Sequence, residues 1–516
     1  MTTTLRTEVD EAGLGRLAQA LALKLRAGDV LALHGDLGAG KTTFARALIR
    51  ALLGDADAEV PSPTFSISQL YAAPRTAVAH FDMYRLSGPD EADEIGFDEA
   101  IAQGLAIVEW PERIAPLLPA ERFDVTLAET ADAARRLVSI TAAGACGERL
   151  ARLIEVLAFL DTQPAWRGCR VAYLQGDAST RAYARLHGPA GTAILMDAPR
   201  QPDGPPVRDG KPYSQIAHLA EDMRPFSAIA DALRAAGLSA PEILAQDLDA
   251  GLLLIEDLGD RVYGAELQRG ASQGELWRAA VDVLLKLRTV PVPARLPLRD
   301  GTTYTLPRRD RAAFEIEIDL VLDWYWPAVK GAPASSHVRA EFADLWRPVI
   351  DRLLMLPGGW FLRDYHSPNI LWLPERQGVA LVGVIDFHDA LNEHAAFDLV
   401  SLLQDARVTV PADLEADLIA YYCAEAARGE LGFDRDAFMT AYADFGAQRN
   451  ARLVGLWLRL LKRDGKPQYL QHLPRTWGYL DRNLSQPHLA ALKAWYDHHF
   501  PPPLRRADVL GGAPQT

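Results

Sequence analysis

Two stretches of this 516-residue chain combine the residue types that phosphate chemistry needs. The first is Gly35-Asp36-Leu37-Gly38-Ala39-Gly40-Lys41-Thr42, which fits G-x-x-x-x-G-K-[ST] at every fixed position. Glycines there let successive backbone N–H groups turn inward around phosphate oxygens, and the helix opening behind them adds the positive end of its dipole. Lys41 would reach the β- and γ-phosphates and the Thr42 hydroxyl would ligate Mg²⁺. The plain alternative is a glycine turn between a strand and a helix. An acidic partner for the ion should end a neighbouring strand. Asp82 after Val78-Ala79-His80-Phe81 and Glu109 after Ala106-Ile107-Val108 both qualify, although a lone strand-end carboxylate can equally cap a helix.

The second stretch is Arg363-Asp364-Tyr365-His366-Ser367-Pro368-Asn369, followed 17 residues beyond Asn369 by Asp386 at the end of an apolar run. In phosphoryl transfer an Asp placed like Asp364 accepts the proton of the attacking hydroxyl, while the Asn and the second Asp hold Mg²⁺ between the phosphates. The spacing needs a short hairpin, which Leu371–Leu373 and Val379–Val384 around Pro374–Gly378 can supply. Simple turn capping by Asp and Asn is the alternative.

These residues need elements to position them. Leu14, Leu17, Ala18, Leu21 and Leu25 recur at helical spacing, and residues 1–29 read as a helix. Val30–His34 is a short apolar strand entering the glycine turn, and Phe44–Leu53 continues as a helix. Strand-like runs follow at Ala77–Phe81, Ala106–Glu109, Asp124–Ala128 and Leu137–Thr141, the pattern of an α/β sheet with nucleotide chemistry at its strand ends. A boundary falls at 142–163, with a fresh amphipathic helix beginning near Glu148. Arg170–Ala198 then reads as two or three strands, 199–213 as a Pro/Gly-rich loop, and Leu252–Leu258 as a buried strand. From Leu276 onward helices dominate. A small strand-rich part before a large helical part is the shape of a kinase-type phosphotransferase.

Composition narrows the field. Apolar residues at 49% and charged residues at 24% fit globular protein and exclude disordered or fibrous classes. The three cysteines, Cys146, Cys169 and Cys423, form no C-x-x-C pair, which excludes a disulfide framework or a cysteine–zinc module and fits a reducing compartment. The N-terminus has acidic residues where a signal peptide is apolar, and no run reaches the ~20 apolar residues of a membrane helix. A cytoplasmic location follows. The net charge is −14, with 14 basic against 22 acidic residues in 1–150 and 40 against 46 in the remainder. Neither part has the basic excess that grips nucleic acid directly.

The first half resembles the TsaE family through HGDLGAGKTTFARAL, SPTFSISQLY (62–71), HFDMYRL (80–86), DEIGFDE (93–99) and IVEWPERI (107–114), in order over residues 1 to about 145. That family is the small ATPase of the machinery that attaches threonylcarbamoyl to the adenosine beside the anticodon, working with TsaD and TsaB. The resemblance implies that Lys41 and Thr42 bind ATP·Mg²⁺ and that Thr43 follows toward the α-phosphate. It places Thr64 in a switch-like segment, makes Asp82 a catalytic or water-positioning carboxylate, and makes Glu109 Mg²⁺-associated with Trp110 beside it. Asp10 and Glu11 match an acidic pair near the nucleotide base. It also implies that tRNA is held by the TsaD- and TsaB-like partners.

The second half resembles the aminoglycoside-phosphotransferase-like kinases, and most closely their AmgK branch, anomeric kinases of N-acetylmuramate and N-acetylglucosamine in cell-wall recycling. The matching segments are GDASTRAYARL (176–186), ILMDAP (194–199), APEIL (240–244), LLLIEDLGDRVY (252–263), RDYHSPNILWL (363–373), GVIDFHDAL (383–391), AAFDLVSLLQDAR (395–407) and RDGKPQYLQHLPR (463–475). By this resemblance Asp364 is the catalytic base, Asn369 and Asp386 are Mg²⁺ ligands, and Asp398 anchors the catalytic loop. Three positions depart from the wider kinase pattern. Met196 stands where a phosphate-gripping Lys is usual, as the AmgK branch also has it; Leu362 replaces a polar residue before Arg363-Asp364; and Asn392-Glu393-His394 replaces Gly-Pro.

The expectation is a fused α/β protein: a P-loop ATPase domain at 1–145, a linker helix at 146–163 and a kinase-like phosphotransferase at 164–516, with ATP and Mg²⁺ as cofactors. Two readings compete for the second half, a regulatory pseudo-kinase and a kinase of another alcohol of aminoglycoside, choline or homoserine type. Trp324, Tyr325 and Trp326 could stack on a sugar, but at helical spacing aromatic residues more often form core. His34 and His80 read as packed polar residues beside the glycine turn, and His498-His499 as serving a helix end or solvent.

Overall fold

Alternation, not helical spacing, governs the N-terminus. Thr2–Asp10 forms strand β1 with every second residue turned inward, and helix α1 occupies only Glu11–Ala22. The helix read over 1–29 is therefore shorter than expected. Three β-branched threonines open the segment, Leu5, Thr7 and Val9 fall two apart, and such a surface packs best as a pleated strand. β1 pairs antiparallel with β7 from Thr2↔Ala143 to Asp10↔Arg135. The computed structural model describes residues 2–64, 66–174, 181–200 and 204–506. Phe65, Gly176–Thr180 of the GDASTRAYARL segment and the tail from 507 lie outside the described residues.

The chain divides into two compact units, Met1–Pro199 with Leu244–Asp257, and Arg200–Ile243 with Leu258–Thr516. The first unit holds β2 (Val30–His34), α2 (Lys41–Leu53), β3 (Ser68–Ala72), β4 (Ala77–Asp82), α3 (Asp90–Glu94), α4 (Phe97–Gln103), β5 (Gly104–Glu109), β6 (Phe123–Glu129) and β7 (Arg135–Ala143). Its seven-stranded sheet runs β1-β7-β6-β2-β5-β4-β3. The four central strands, β6, β2, β5 and β4, are parallel, and antiparallel strands close both edges. Period-two alternation sends Leu31, Leu33 and Ile107 to one face, against Leu14, Leu17, Phe44 and Leu48 of α1 and α2. Val30, Ala106 and Val108 go to the other, against Phe81, Met83 and Phe97.

Helix α5 (Gly144–Asp161) follows β7 without a break, four residues earlier than its amphipathic pattern begins. Its first half, Cys146, Leu150 and Leu153, belongs to the core under the large sheet. Its second half, Val156, Phe159 and Leu160, packs under a five-stranded sheet with Val171, Leu186, Leu195 and Leu254. That sheet has the order Ile243–Asp247, Leu252–Glu256, β10 (Gly191–Asp197), β9 (Ala182–Gly188), β8 (Arg170–Leu174).

In the second unit Pro206–Arg208 and Lys211–Pro212 pair as a small hairpin where a loop was expected. Asp209 and Gly210, with φ of 50° and 72°, supply the two left-handed turn positions such a hairpin needs. Helices dominate from Gln273–Arg288 onward, the longest among the described residues being Arg435–Lys462. Tyr325 and Trp326 are buried against Trp477, Trp495 and Phe500, so both are core residues. The expected hairpin forms between Ile370–Trp372 and Val382–Val384, in register Ile370↔Val384. Among the described residues no helix is long and apolar enough to cross a membrane.

Candidate functional site

β2 carries the chain into the glycine turn, and the turn is shaped so that only glycine fits its first position. Gly35 has φ of 137°, and a Cβ there would stand 2.4 Å from the carbonyl oxygen of Leu127. Gly38 and Gly40 have φ of 81° and 106°, also left-handed. α2 starts directly at Lys41, aiming its free N–H groups into the turn. Lys41 Nζ donates to the carbonyls of Gly35 at 2.7 Å and Asp36 at 2.9 Å, and lies 3.7 Å from the centre of the Trp110 ring. Burial lowers its pKa; Glu109, Glu112, Asp82 and Asp36 pull it back up. Ala39 is buried, whereas Asp36 and Leu37 are exposed, and Thr43 follows on the first turn of α2.

The two strand-end carboxylates are neighbours. Asp82 of β4 and Glu109 of β5 are directly paired in the parallel register. Glu109 accepts the Thr42 hydroxyl at 2.9 Å on one oxygen and stands 3.0 Å from His80 Nε2 on the other. Asp82 accepts from the Thr64 hydroxyl at 3.0 Å and from the Tyr84 N–H at 3.1 Å, and Thr64 in turn lies 2.7 Å from the Ser62 hydroxyl. His80 is thus a packed polar residue that orients Glu109, and His34 meets Asp124 at 3.0 Å. Asp10 caps α1 by accepting from Gly13 N–H at 2.7 Å, and Glu11 is exposed in its first turn. A Cβ on Gly40 would lie 3.5 Å from Leu14 Cδ2, so the start of α1 stands beside the glycine turn.

In the second unit the catalytic loop brings its three predicted residues together. Asn369 Nδ2 donates to the carbonyl of Asp364 at 3.0 Å and to Asp386 Oδ2 at 3.2 Å. Arg363 and Asp386 have φ of 72° and 61°, strained for L-residues, and both flank this chemistry. Asp398 accepts the N–H of Leu362 at 2.6 Å and of Arg363 at 3.0 Å. Leu362 serves here through its backbone and buries its side chain, so a polar side chain is not needed for that anchor. Burial pushes the Asp398 carboxyl up to about 7 against the pull of those two N–H groups, and nearby Asp364 pushes further. Glu393 accepts from Arg309 Nε at 2.9 Å, and His394 Nδ1 accepts from Ala396 N–H at 3.3 Å, so the Asn392-Glu393-His394 departure supplies an ion pair and a helix-start contact. Met196 is buried in β10.

Two anchors were missed by sequence reasoning. Asp405 accepts the N–H groups of Ser367 at 2.8 Å and Arg407 at 2.7 Å, clamping the middle of the loop; only its place at the end of the SLLQDAR run hinted at it. Glu317 accepts from Arg363 at 2.8 Å, Arg309 at 3.1 Å and Gln448 at 2.8 Å. Burial alone would raise its pKa, but Arg452, Arg309 and Arg363 bring it down to about 2. Burial and Arg407 lower His366 to about 4, so its imidazole is neutral at physiological pH.

Comparison with known proteins bears on both sites. Residues 9–137 match the family model of the threonylcarbamoyl adenosine biosynthesis protein TsaE, and residues 170–434 match that of the phosphotransferase enzyme family. An N-acetylmuramate/N-acetylglucosamine kinase of Caulobacter vibrioides is 41% identical over 342 residues, 64% of this chain and 93% of that protein. A kinase of the same description from Pseudomonas putida is 32% identical over 61% of this chain and 84% of its own length. A TsaE protein of Rickettsia conorii is 42% identical over 125 residues, 24% of this chain and 70% of that protein. The chain belongs to both families. It is an ATP-using, bifunctional fusion, with the TsaE part carrying the glycine turn and the phosphotransferase part carrying the Asp364 loop.

Proposed function

We propose that the phosphotransferase part is an ATP-dependent anomeric kinase of N-acetylmuramate and N-acetylglucosamine, serving cell-wall recycling. The TsaE part would be the ATPase subunit for threonylcarbamoyl modification of the tRNA adenosine beside the anticodon. The observation that carries the kinase reading is the contact of Asn369 with both Asp364 and Asp386. A module that only bound nucleotide would have no use for a carboxylate at Asp364. The relatives' shared description supports the choice of sugar. Family matches ending at 137 and beginning at 170 support a division at 1–145, 146–163 and 164–516.

In the kinase the Asp364 carboxylate would accept the proton of the anomeric hydroxyl as that oxygen attacks the γ-phosphate of ATP in line, leaving sugar 1-phosphate and ADP. Asp398 and Asp405 hold the backbone on either side of it, so the carboxylate is positioned before substrate arrives. Asn369 and Asp386 offer the hard oxygens that suit Mg²⁺, an ion content with one or two protein ligands when phosphates supply the rest. Bound Mg²⁺ would neutralise charge on the β- and γ-phosphates.

In the ATPase, backbone N–H groups of Gly35–Gly40 and Lys41 would cradle the phosphates, with Thr42 and Glu109 as the Mg²⁺ pair. Thr43 would continue toward the α-phosphate, Asp82 with Thr64 would position the attacking water, and Glu11 and Trp110 would flank the nucleotide. TsaD- and TsaB-like subunits are the proposed partners, with tRNA held by them in the cytoplasm. The net acidic charge of residues 1–150 supports that division of labour.

The deciding experiment measures phosphorylation of both sugars by the purified chain alongside Asp364→Asn and Lys41→Ala. Sugar 1-phosphate that survives Lys41→Ala and vanishes with Asp364→Asn is the expected result. ATP binding without phosphorylation of either sugar rejects the sugar-kinase reading.

A further inference from the structure

Two arginines on the helix Arg435–Lys462 are partly buried, and the first of them, Arg452, faces the catalytic-loop Asp364. Arg452 and Arg459 are seven residues apart, about two turns, and so share a face. Arg452 is only 16% exposed, and the Nε atoms of both residues are buried without a hydrogen-bond partner among the described residues. Arg452 Nε stands 3.8 Å from Glu317 Oε1, beyond hydrogen-bond reach, and that oxygen already accepts from Arg363, the residue before Asp364. Arg459 lies 4.9 Å from the ring centre of Tyr213.

The charges around this corner come from several elements. Glu317, Tyr213, Asp364 and Asp389 face Arg452. Arg459 faces Tyr213, Arg463 and Arg452, with Asp464 beyond. Burial and the two neighbouring arginines push the Arg459 guanidinium below the ordinary value against the pull of Tyr213, whereas Glu317, Tyr213, Asp364 and Asp389 raise that of Arg452. His218, whose carbonyl lies 3.4 Å from Arg363 Nη1, also has a buried ring nitrogen, Nε2, without a partner among the described residues. A guanidinium crowded by like charge gains from an anion and repels a cation. That disfavours aminoglycoside or choline acceptors and favours an acid.

N-acetylmuramate differs from N-acetylglucosamine by a lactyl ether that ends in a carboxylate, whose two oxygens match a guanidinium fork. We propose that Arg459, with Arg452 behind it, receives that carboxylate and sets the preference between the two sugars. The inference rests on the sugar-kinase reading above and deepens it.

The test compares kcat/KM for N-acetylmuramate, its methyl ester and N-acetylglucosamine, in the unaltered chain and in Arg459→Gln. The unaltered chain should prefer the acid to the ester by about tenfold, the size of one charge-assisted contact. Arg459→Gln should erase that preference through KM, while N-acetylglucosamine changes less than about threefold. Equal use of acid and ester by the unaltered chain overturns the proposal, and that comparison stands even where the variant fails to fold. So does a uniform loss on all three sugars in a folded Arg459→Gln. Where the unaltered chain phosphorylates no sugar at all, the kinase reading falls first and this proposal with it.

Discussion

Arg152 of α5 donates from Nε to Oδ1 of Asp197, the last residue of β10, at 2.9 Å. Lys24, just beyond α1, pairs with the other oxygen of the same carboxylate, and Arg152 also donates to the carbonyl of Ala250 at 2.8 Å. Asp197 is 7% exposed, so one buried carboxylate neutralises two cations from elements that cover the large sheet. Asp197→Asn removes the charge and leaves both cations partly buried without it. Losing one member of such a cluster costs about 3 kcal/mol. Chemical unfolding should show a lowered first transition, whereas Arg170→Gln at an exposed site should not move it.

The glycine turn makes a graded prediction. Alanine at Gly35 must relieve a contact of 2.4 Å with backbone as well as adopt φ of 137°. Alanine at Gly38 meets nothing within 4 Å among the described residues and has only φ of 81° to bear. Backbone strain of this kind is worth about 1–3 kcal/mol, and the steric clash at Gly35 adds to it. Gly35→Ala should therefore abolish ATP binding by the TsaE part and lower stability, while Gly38→Ala weakens binding more modestly. Equal ATP affinities in the two variants would contradict this account of the turn.

Glu317 predicts a pH signature. Its pKa is depressed to about 2 from 4.5 by three arginines, so the unfolded chain binds the proton more readily. The stability it contributes is complete above about pH 4.5 and drains as pH falls toward 2. The full contribution is about 3 kcal/mol at neutral pH. Glu317→Gln should be markedly less stable than the unaltered chain at pH 7, with the gap narrowing between pH 4.5 and 3. Urea unfolding at those values, followed by tryptophan fluorescence, checks it; a gap that stays constant would mean Glu317 acts through shape alone.

How much of this could be read beforehand depended on whether a feature was local. The glycine turn and the Asp364–Asn369–Asp386 spacing are local patterns, and the turn and hairpin that carry them formed where they were read. Leu14 to Leu21 fixed the face of α1, but the helical spacing overran into β1, because Thr2–Asp10 becomes a strand only by pairing with β7, 125 and more residues later. Asp405 and Glu317 escaped for the same reason. Their partners, Ser367 and Arg363, lie 38 and 46 residues away, and nothing in either residue's immediate neighbourhood announces a backbone N–H or a guanidinium to be held. His80 was legible as packed but not as the group orienting Glu109, since the two meet only across adjacent strands.

Asp405 gives the sharpest test of the catalytic loop. Its Oδ2 accepts from Ser367 N–H at 2.8 Å, while Oδ1 accepts from Arg407 N–H at 2.7 Å and Val408 N–H at 3.3 Å. Asparagine can keep one of these oxygens and must turn an amide NH₂ toward backbone donors on the other side. The loop between Asp364 and Asn369 would then lose its fixed point at Ser367. A misplacement of about 1 Å at the reacting atoms can cost on the order of 100-fold in rate. Asp405→Asn should therefore lower kcat for sugar phosphorylation by about 10- to 100-fold while the KM for sugar changes less than about threefold. Asp405 touches no substrate in this account, so a positioning role requires that pattern. A kcat within twofold of the unaltered chain, or a loss confined to KM, would show that the loop holds its geometry without this clamp.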